Sequence, residues 1–133
     1  MIDALLNNAT ALPPAIIVHG LEDARLALAP ARPVTLLSAP GAALCWGCLW
    51  WRDLLNAADY GGPALLDCAA APGRAAEALA IGLAGVVLAP CPSWDEIAAL
   101  ARQSGAILLP TPPPALDLHL PGAGRRLSSW LGG

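Results

Sequence analysis

The stretch GVVLAPCPSWDEIAALARQSGAILLP, Gly85 to Pro110, decides the fold. It holds two short apolar runs, GVVLAP (Gly85 to Pro90) and AILLP (Ala106 to Pro110), on either side of a segment with helical periodicity. Ser93 and Glu96 have the spacing of a capping box, Trp94, Ile97, Ala98, Leu100 and Ala101 form an apolar stripe, and Gly105 closes the helix. The runs are continuous rather than alternating and rich in branched residues, as in strands buried on both faces of a parallel sheet. The stretch therefore predicts one strand–helix–strand unit.

The same grammar extends toward the amino terminus. AIIVHG (Ala15 to Gly20), VTLLSAP (Val34 to Pro40) and ALLDCA (Ala64 to Ala69) are three more runs of this kind. Helices are expected at Leu21 to Ala29, from Pro40-Gly41 to about Ala58, and from Arg74 to Ile81 with Pro72 near the first turn and Gly82 at the end. SAPGAA and AAPGRAA place their Pro-Gly pairs 72 − 40 = 32 residues apart, about one βα unit. The expected fold is a single three-layer α/β domain over residues 1–133. Its five-stranded, mostly parallel sheet is flavodoxin-like or Rossmann-like, with a half-barrel as the alternative. From about residue 110 the chain reads as a Pro-rich C-terminal extension whose Leu127, Trp130 and Leu131 dock on the body or on a partner.

Composition narrows the function classes. At 133 residues the chain can bury a core without a metal or disulfide. It is 56% hydrophobic and only 13% charged, so little polar surface is available and self-association is expected. A net charge of −3, with Arg125-Arg126 the only adjacent basic pair, gives no footprint for nucleic acid. Met1-Ile2-Asp3 lacks the basic start of a targeting segment. The charge-free window from Pro33 to Trp51 is broken by Pro40-Gly41, which argues against a membrane span. A cytoplasmic, reducing setting with four free thiols and no cofactor is expected.

In the second helix, Cys45 and Cys48 read as packing residues rather than a redox pair, because thiolate-forming cysteines sit at helix starts. Cys68 and Cys91 follow strand ends, so four thiols have no reason to converge and no metal site is expected. Trp46 and Trp50 share a stripe with Ala43 and Gly47, while Leu44, Cys48, Trp51 and Leu55 turn to the sheet. The Trp stripe predicts a twofold homodimer interface, or else a surface covered by Trp130 and Leu131.

Ligands of open parallel sheets bind beyond the carboxyl ends of the strands. Those ends carry His19, Ser38, Asp67 and Cys91, and a 2-1-3-4-5 strand order would set His19 between Ser38 and Asp67 as a base between nucleophile and acid. LSAPG lacks the G-x-S-x-G elbow. Arg74 after Gly73 at a helix start, with Ser93 and Thr111 at neighbouring strand ends, would suit a small anionic ligand. The competing reading pairs Arg74 with Glu77.

The run LLDCAAAPG, with Asp67 closing the third strand, resembles the phosphoacceptor segment of response-regulator receiver domains, and ALARQSGAILLPTP resembles their helix-four, strand-five passage. The first strand ends in His19-Gly20 rather than an acidic pair and the chain has no lysine, so the resemblance implies a receiver-like domain that is not phosphorylated. LLSAPGAA, LDC…APG…AL…G and PPALDL together resemble a group of small bacterial α/β proteins that brings no known activity. The expected function is a homodimeric binding or regulatory module without a strong catalytic apparatus. The alternative is an enzyme or sensor for a small anionic metabolite at the sheet edge.

Overall fold

The computed structural model describes residues 12–132. Six strands, β1 (Ala15–Val18), β2 (Thr35–Ser38), β3 (Ala64–Asp67), β4 (Gly85–Val87), β5 (Ile107–Leu109) and β6 (Ala115–Asp117), form one sheet in the order β5-β4-β3-β2-β1-β6. Every neighbouring pair is parallel. The expected α/β class with a parallel sheet is therefore present, with six strands instead of the expected five. The sixth is β6, from the segment read as a C-terminal extension.

The helices are α1 (Leu21–Leu28), α2 (Ala42–Cys45), α3 (Cys48–Ala57), α4 (Pro72–Ala80), α5 (Trp94–Ser104) and α6 (Ala123–Trp130). Strands one to five follow one another across the sheet, and right-handed crossovers then place every connecting helix on the same face. The core agrees: each of the six helices contributes to one large cluster, together with Ile16, Val18, Leu36, Leu66, Val86, Leu108 and Leu116 from the strands and Leu88 just beyond β4. The opposite sheet face carries Leu37, Leu65, Val87 and Leu109, with Leu12, Ile17, Ile107 and Ala115 against them. Among the described residues there are thus two layers, not the three expected. The continuous apolar runs arise because alternate strand residues enter one cluster or the other.

Chain length bends this sheet. Only Pro110 to Pro114 join β5 to β6, so six peptide steps, about 20 Å when fully extended, must take the chain from one edge of the sheet to the other. In a flat sheet the edge strands would lie five spacings, roughly 24 Å, apart, before the return to the start of β6 is counted. The sheet is accordingly bowed, with β5 and β6 drawn toward each other. Crowding on the face away from the helices shows at Gly85, where an added Cβ would lie 2.6 Å from Leu65 Cδ2, 3.2 Å from the Ala64 carbonyl oxygen and 3.3 Å from Ile107 Cβ.

The expected second helix is interrupted. It is split into α2 and α3 at Gly47, whose φ of 88° and extended ψ of 165° break the helical path. The break lets α3 restart at Cys48 and turn Cys48, Trp51, Leu54 and Leu55 into the core. Leu44, expected to face the sheet, is exposed. The start of α5 at Ser93 is as expected, but its hydroxyl makes no capping hydrogen bond. Gly105, at φ 70°, ends α5 as the sequence indicates.

Replacing Gly85 by Ala should lower stability by about 1–3 kcal/mol through overpacking against Leu65. A reduced urea midpoint with an unchanged denaturant slope would show this; an unaltered midpoint would mean that the Leu65 side chain yields freely.

Candidate functional site at the carboxyl edge

Because β1 and β6 are adjacent and parallel, the turns that follow them leave the sheet side by side. The turn after β1 carries His19 and Gly20 into α1, where Asp23 lies in the first turn. The end of β6 supplies Asp117 and, two residues on, His119. These four polar side chains form a crossed arrangement. The ring Nε2 of His19 lies 2.8 Å from Asp117 Oδ1, and the ring Nε2 of His119 lies 3.0 Å from Asp23 Oδ2. The same two oxygens accept backbone N–H groups from their own segments, His19 to Asp23 Oδ2 at 2.9 Å and His119 to Asp117 Oδ1 at 2.9 Å. The two imidazoles stack with centroids 3.7 Å apart and planes 13° from parallel.

An ionised carboxylate only accepts, so the His19 Nε2 carries the proton it donates to Asp117, and that ring, when neutral, keeps Nδ1 as an acceptor. His119 Nε2 and Asp23 Oδ2 are in ion-pair contact without the alignment of a hydrogen bond. Burial alone would raise the Asp117 carboxyl. The hydrogen bonds from the His119 backbone and the His19 ring, and the nearby imidazoles, outweigh it and hold the group below its ordinary range. A cleft of about 190 Å³, lined by His19, Gly20, Glu22, Asp23 and His119, opens beside the cluster.

The other strand-end residues are occupied differently. Strand β2 lies between β1 and β3, so His19 does not fall between Ser38 and Asp67. Ser38 Oγ accepts the Asp67 backbone N–H at 2.9 Å and donates to the Ala39 carbonyl at 3.2 Å. Asp67 Oδ1 accepts the Ala69 N–H at 2.8 Å, which supports Ala69 in its left-handed conformation at φ 50°. Ser38 and Asp67 are both buried, and they tie β2 to β3 and shape the turn beyond β3. Cys91 and Ser93 are half-buried after β4, while Thr111 is exposed after β5. None of these three lines the His19 cleft.

Arg74 Nη1 reaches Glu77 Oε2 at 3.2 Å, the i,i+3 pair weighed as the competing reading, and Gly73 faces open space. Of the Trp stripe, Trp46 is 66% exposed, Trp50 is half-buried and Gly47 is partly exposed, but Ala43 is fully buried in the core and cannot reach a partner. The Trp46 and Trp50 rings lie 5.9 Å apart. Trp130 does not cover them: its indole N–H donates to the Ala15 carbonyl at 2.7 Å, and Leu127 and Leu131 pack into the core.

Asp23, Asp117 and His119 were not among the residues that the sequence singled out. A usable signal was present, since the chain has two histidines and each sits in a strand-end turn near an aspartate, H-x-x-x-D and D-x-H. What hid it was the sixth strand. Among the described residues no group of three or more His, Cys, Asp or Glu is disposed to hold a metal ion.

All four cysteines are free. Cys48 opens α3 rather than lying in its second turn, yet burial, followed by the hydrogen bond and charge of Glu77, pushes its thiol up to about 11. Burial pushes Cys68 up to about 12. Both are therefore packing groups, whereas Cys45 is exposed. No known family, curated protein or solved structure matches the chain.

Iodoacetamide added to native protein should label Cys45 first and leave Cys48 and Cys68 unmodified until denaturant is added. Peptide mass spectrometry reads the order; early labelling of Cys48 would contradict its assignment to the core.

Proposed function

We propose that this chain is a homodimeric binding or regulatory module that self-associates through the corner where α2 meets α3. The observation that carries this reading is the exposure of Leu44, Trp46 and Leu49, each more than half accessible, on a corner that also exposes Cys45. No charged residue occurs from Pro33 to Trp51. A second copy offers the same neutral, apolar face, and a twofold contact presents every residue twice, so the corner supplies the centre of an interface on the order of 1,000 Å². Leaving so large an apolar group as Trp46 in water is unfavourable, and burial in a dimer relieves it. Among the described residues no helix is long and apolar enough to cross a membrane. A cytoplasmic setting fits four cysteines that are all free.

A second reading, an enzyme or sensor acting at the carboxyl edge, is favoured by one observation: the crossed His/Asp cluster beside its cleft. The acidic lining, Glu22 and Asp23, does not suit the anionic ligand expected from Arg74, which is engaged by Glu77. The His19 imidazole donor is already used within the cluster, and the His119 ring is in ion-pair contact with Asp23. The binding-module reading therefore ranks first.

Trp46→Arg combined with Leu49→Arg alters two exposed side chains and should leave the fold intact while weakening self-association about a hundredfold. Sedimentation equilibrium at micromolar concentration should show a dimer for the natural sequence and a monomer for the double variant. A monomeric natural sequence, or a double variant that stays dimeric, would overturn the proposal.

A further inference from the structure

The last part of the chain joins the body differently from the rest. Strands β2 to β5 are each preceded by a helical connection, but β6 is reached through Pro110 to Pro114 alone, and it pairs only with β1, over three residues. Beyond it, α6 packs Ala123 and Leu127 into the core, the Trp130 indole bonds to the Ala15 carbonyl, and Arg32 reaches the Gly132 carbonyl at 3.2 Å. At the other end of β6 the polar fastening is the crossed His/Asp cluster. We propose that β6 and α6 form a strap, latched onto β1 and α1 through Asp117, that acid opens as a unit before the β2–β5 body unfolds.

Asp117 is the group on which the latch turns. One of its oxygens holds the His19 ring from β1's turn and the His119 backbone from its own. The groups around it are His19, His119 and, in ion-pair contact with His119, Asp23 of α1, with Glu22 of α1 lining the same cleft. From α6, the guanidinium of Arg125 lies near Gly122, and no ion pair links α6 to Asp117 among the described residues. A carboxyl whose folded-state value is depressed contributes stability above its unfolded value, and loses it as the pH falls through the folded value. Protonation converts an oxygen that accepts two hydrogen bonds into a weaker acceptor, in a strap with only three paired residues. In the body the Asp67 carboxylate accepts only the Ala69 N–H of its own turn, and Ser38 joins β2 to β3 through a hydroxyl, so among the described residues no two body strands are joined through a carboxylate. The strap is thus the first unit to open.

Native-state hydrogen exchange on the full chain tests this, with rates corrected for their intrinsic pH dependence. Going from about pH 5 to about pH 2.5, through the depressed range of the Asp117 carboxyl, amides of Leu116, Leu118 and Leu127 to Leu131 should lose protection at least about tenfold more than those of Leu36, Leu66 and Val86. In Asp117→Asn, which cannot ionise, that acid step should vanish. Equal loss in strap and body, no loss in either, or an acid step that persists in Asp117→Asn would overturn the latch. The natural sequence alone can give the first two results, so the test does not depend on the variant folding.

Discussion

A link of five residues, four of them proline, is too short to cross a flat six-stranded sheet, and most of the architecture follows from that constraint. Because Pro110 to Pro114 must deliver β6 to the far side of β1, the sheet bows and its edges approach. All six described helices lie on the other side of the sheet from the Leu37, Leu65, Val87 and Leu109 cluster. On that crowded face position 85 has room for a hydrogen and nothing larger. The proline-rich stiffness that makes the segment look like an exit from the fold is what limits its reach and returns it to the sheet.

Where the returning strand meets β1, two segments almost 100 residues apart exchange side-chain contacts. Each aspartate accepts a backbone N–H of its own segment, Asp117 also accepts the His19 ring N–H, and Asp23 lies in ion-pair contact with the His119 ring. The exchange satisfies three donors with two oxygens and brings the imidazoles into face contact. Charge-assisted bonds of this kind are stronger than neutral ones, and at three-quarters burial for His19 and Asp117 solvent screens them only in part. Such a cluster is first a fastening. It leaves the Nδ1 of a neutral His19 ring as an unspent acceptor, which is the chemistry a ligand at the cleft would meet.

Much of the fold was legible in the residues. The five apolar runs, the start of α4 at Pro72 and the end of α5 at Gly105 are written locally, in the branched residues, proline and glycine that such positions require. The sixth strand was not legible, because Ala115-Leu116-Asp117 is short, follows three prolines and becomes a strand only by pairing with β1. Missing that strand concealed the site, since Asp117 and His119 have no visible relation to His19 without it. The break at Gly47 was likewise hidden: the apolar periodicity runs through it, and only the backbone angle reveals that Leu44 joins Trp46 at the surface. Conversely, Ser38 and Asp67 looked chemical in sequence because they are polar at strand ends, and in the fold they hold neighbouring turns together.

The crossed pairing of β1 with β6 is tested most directly by long-range proton–nitrogen NMR of the two imidazoles at about pH 8, where histidine is ordinarily neutral. With only two histidines in the chain, the two rings give a simple spectrum. The account predicts that the His19 ring is fixed as the Nε2–H form, with Nδ1 unprotonated, and that it reverts to averaged tautomers when Asp117 is replaced by alanine. Averaged tautomers of His19 in the natural sequence, or an Nδ1–H form of that ring, would show that this pair does not hold the sixth strand in place.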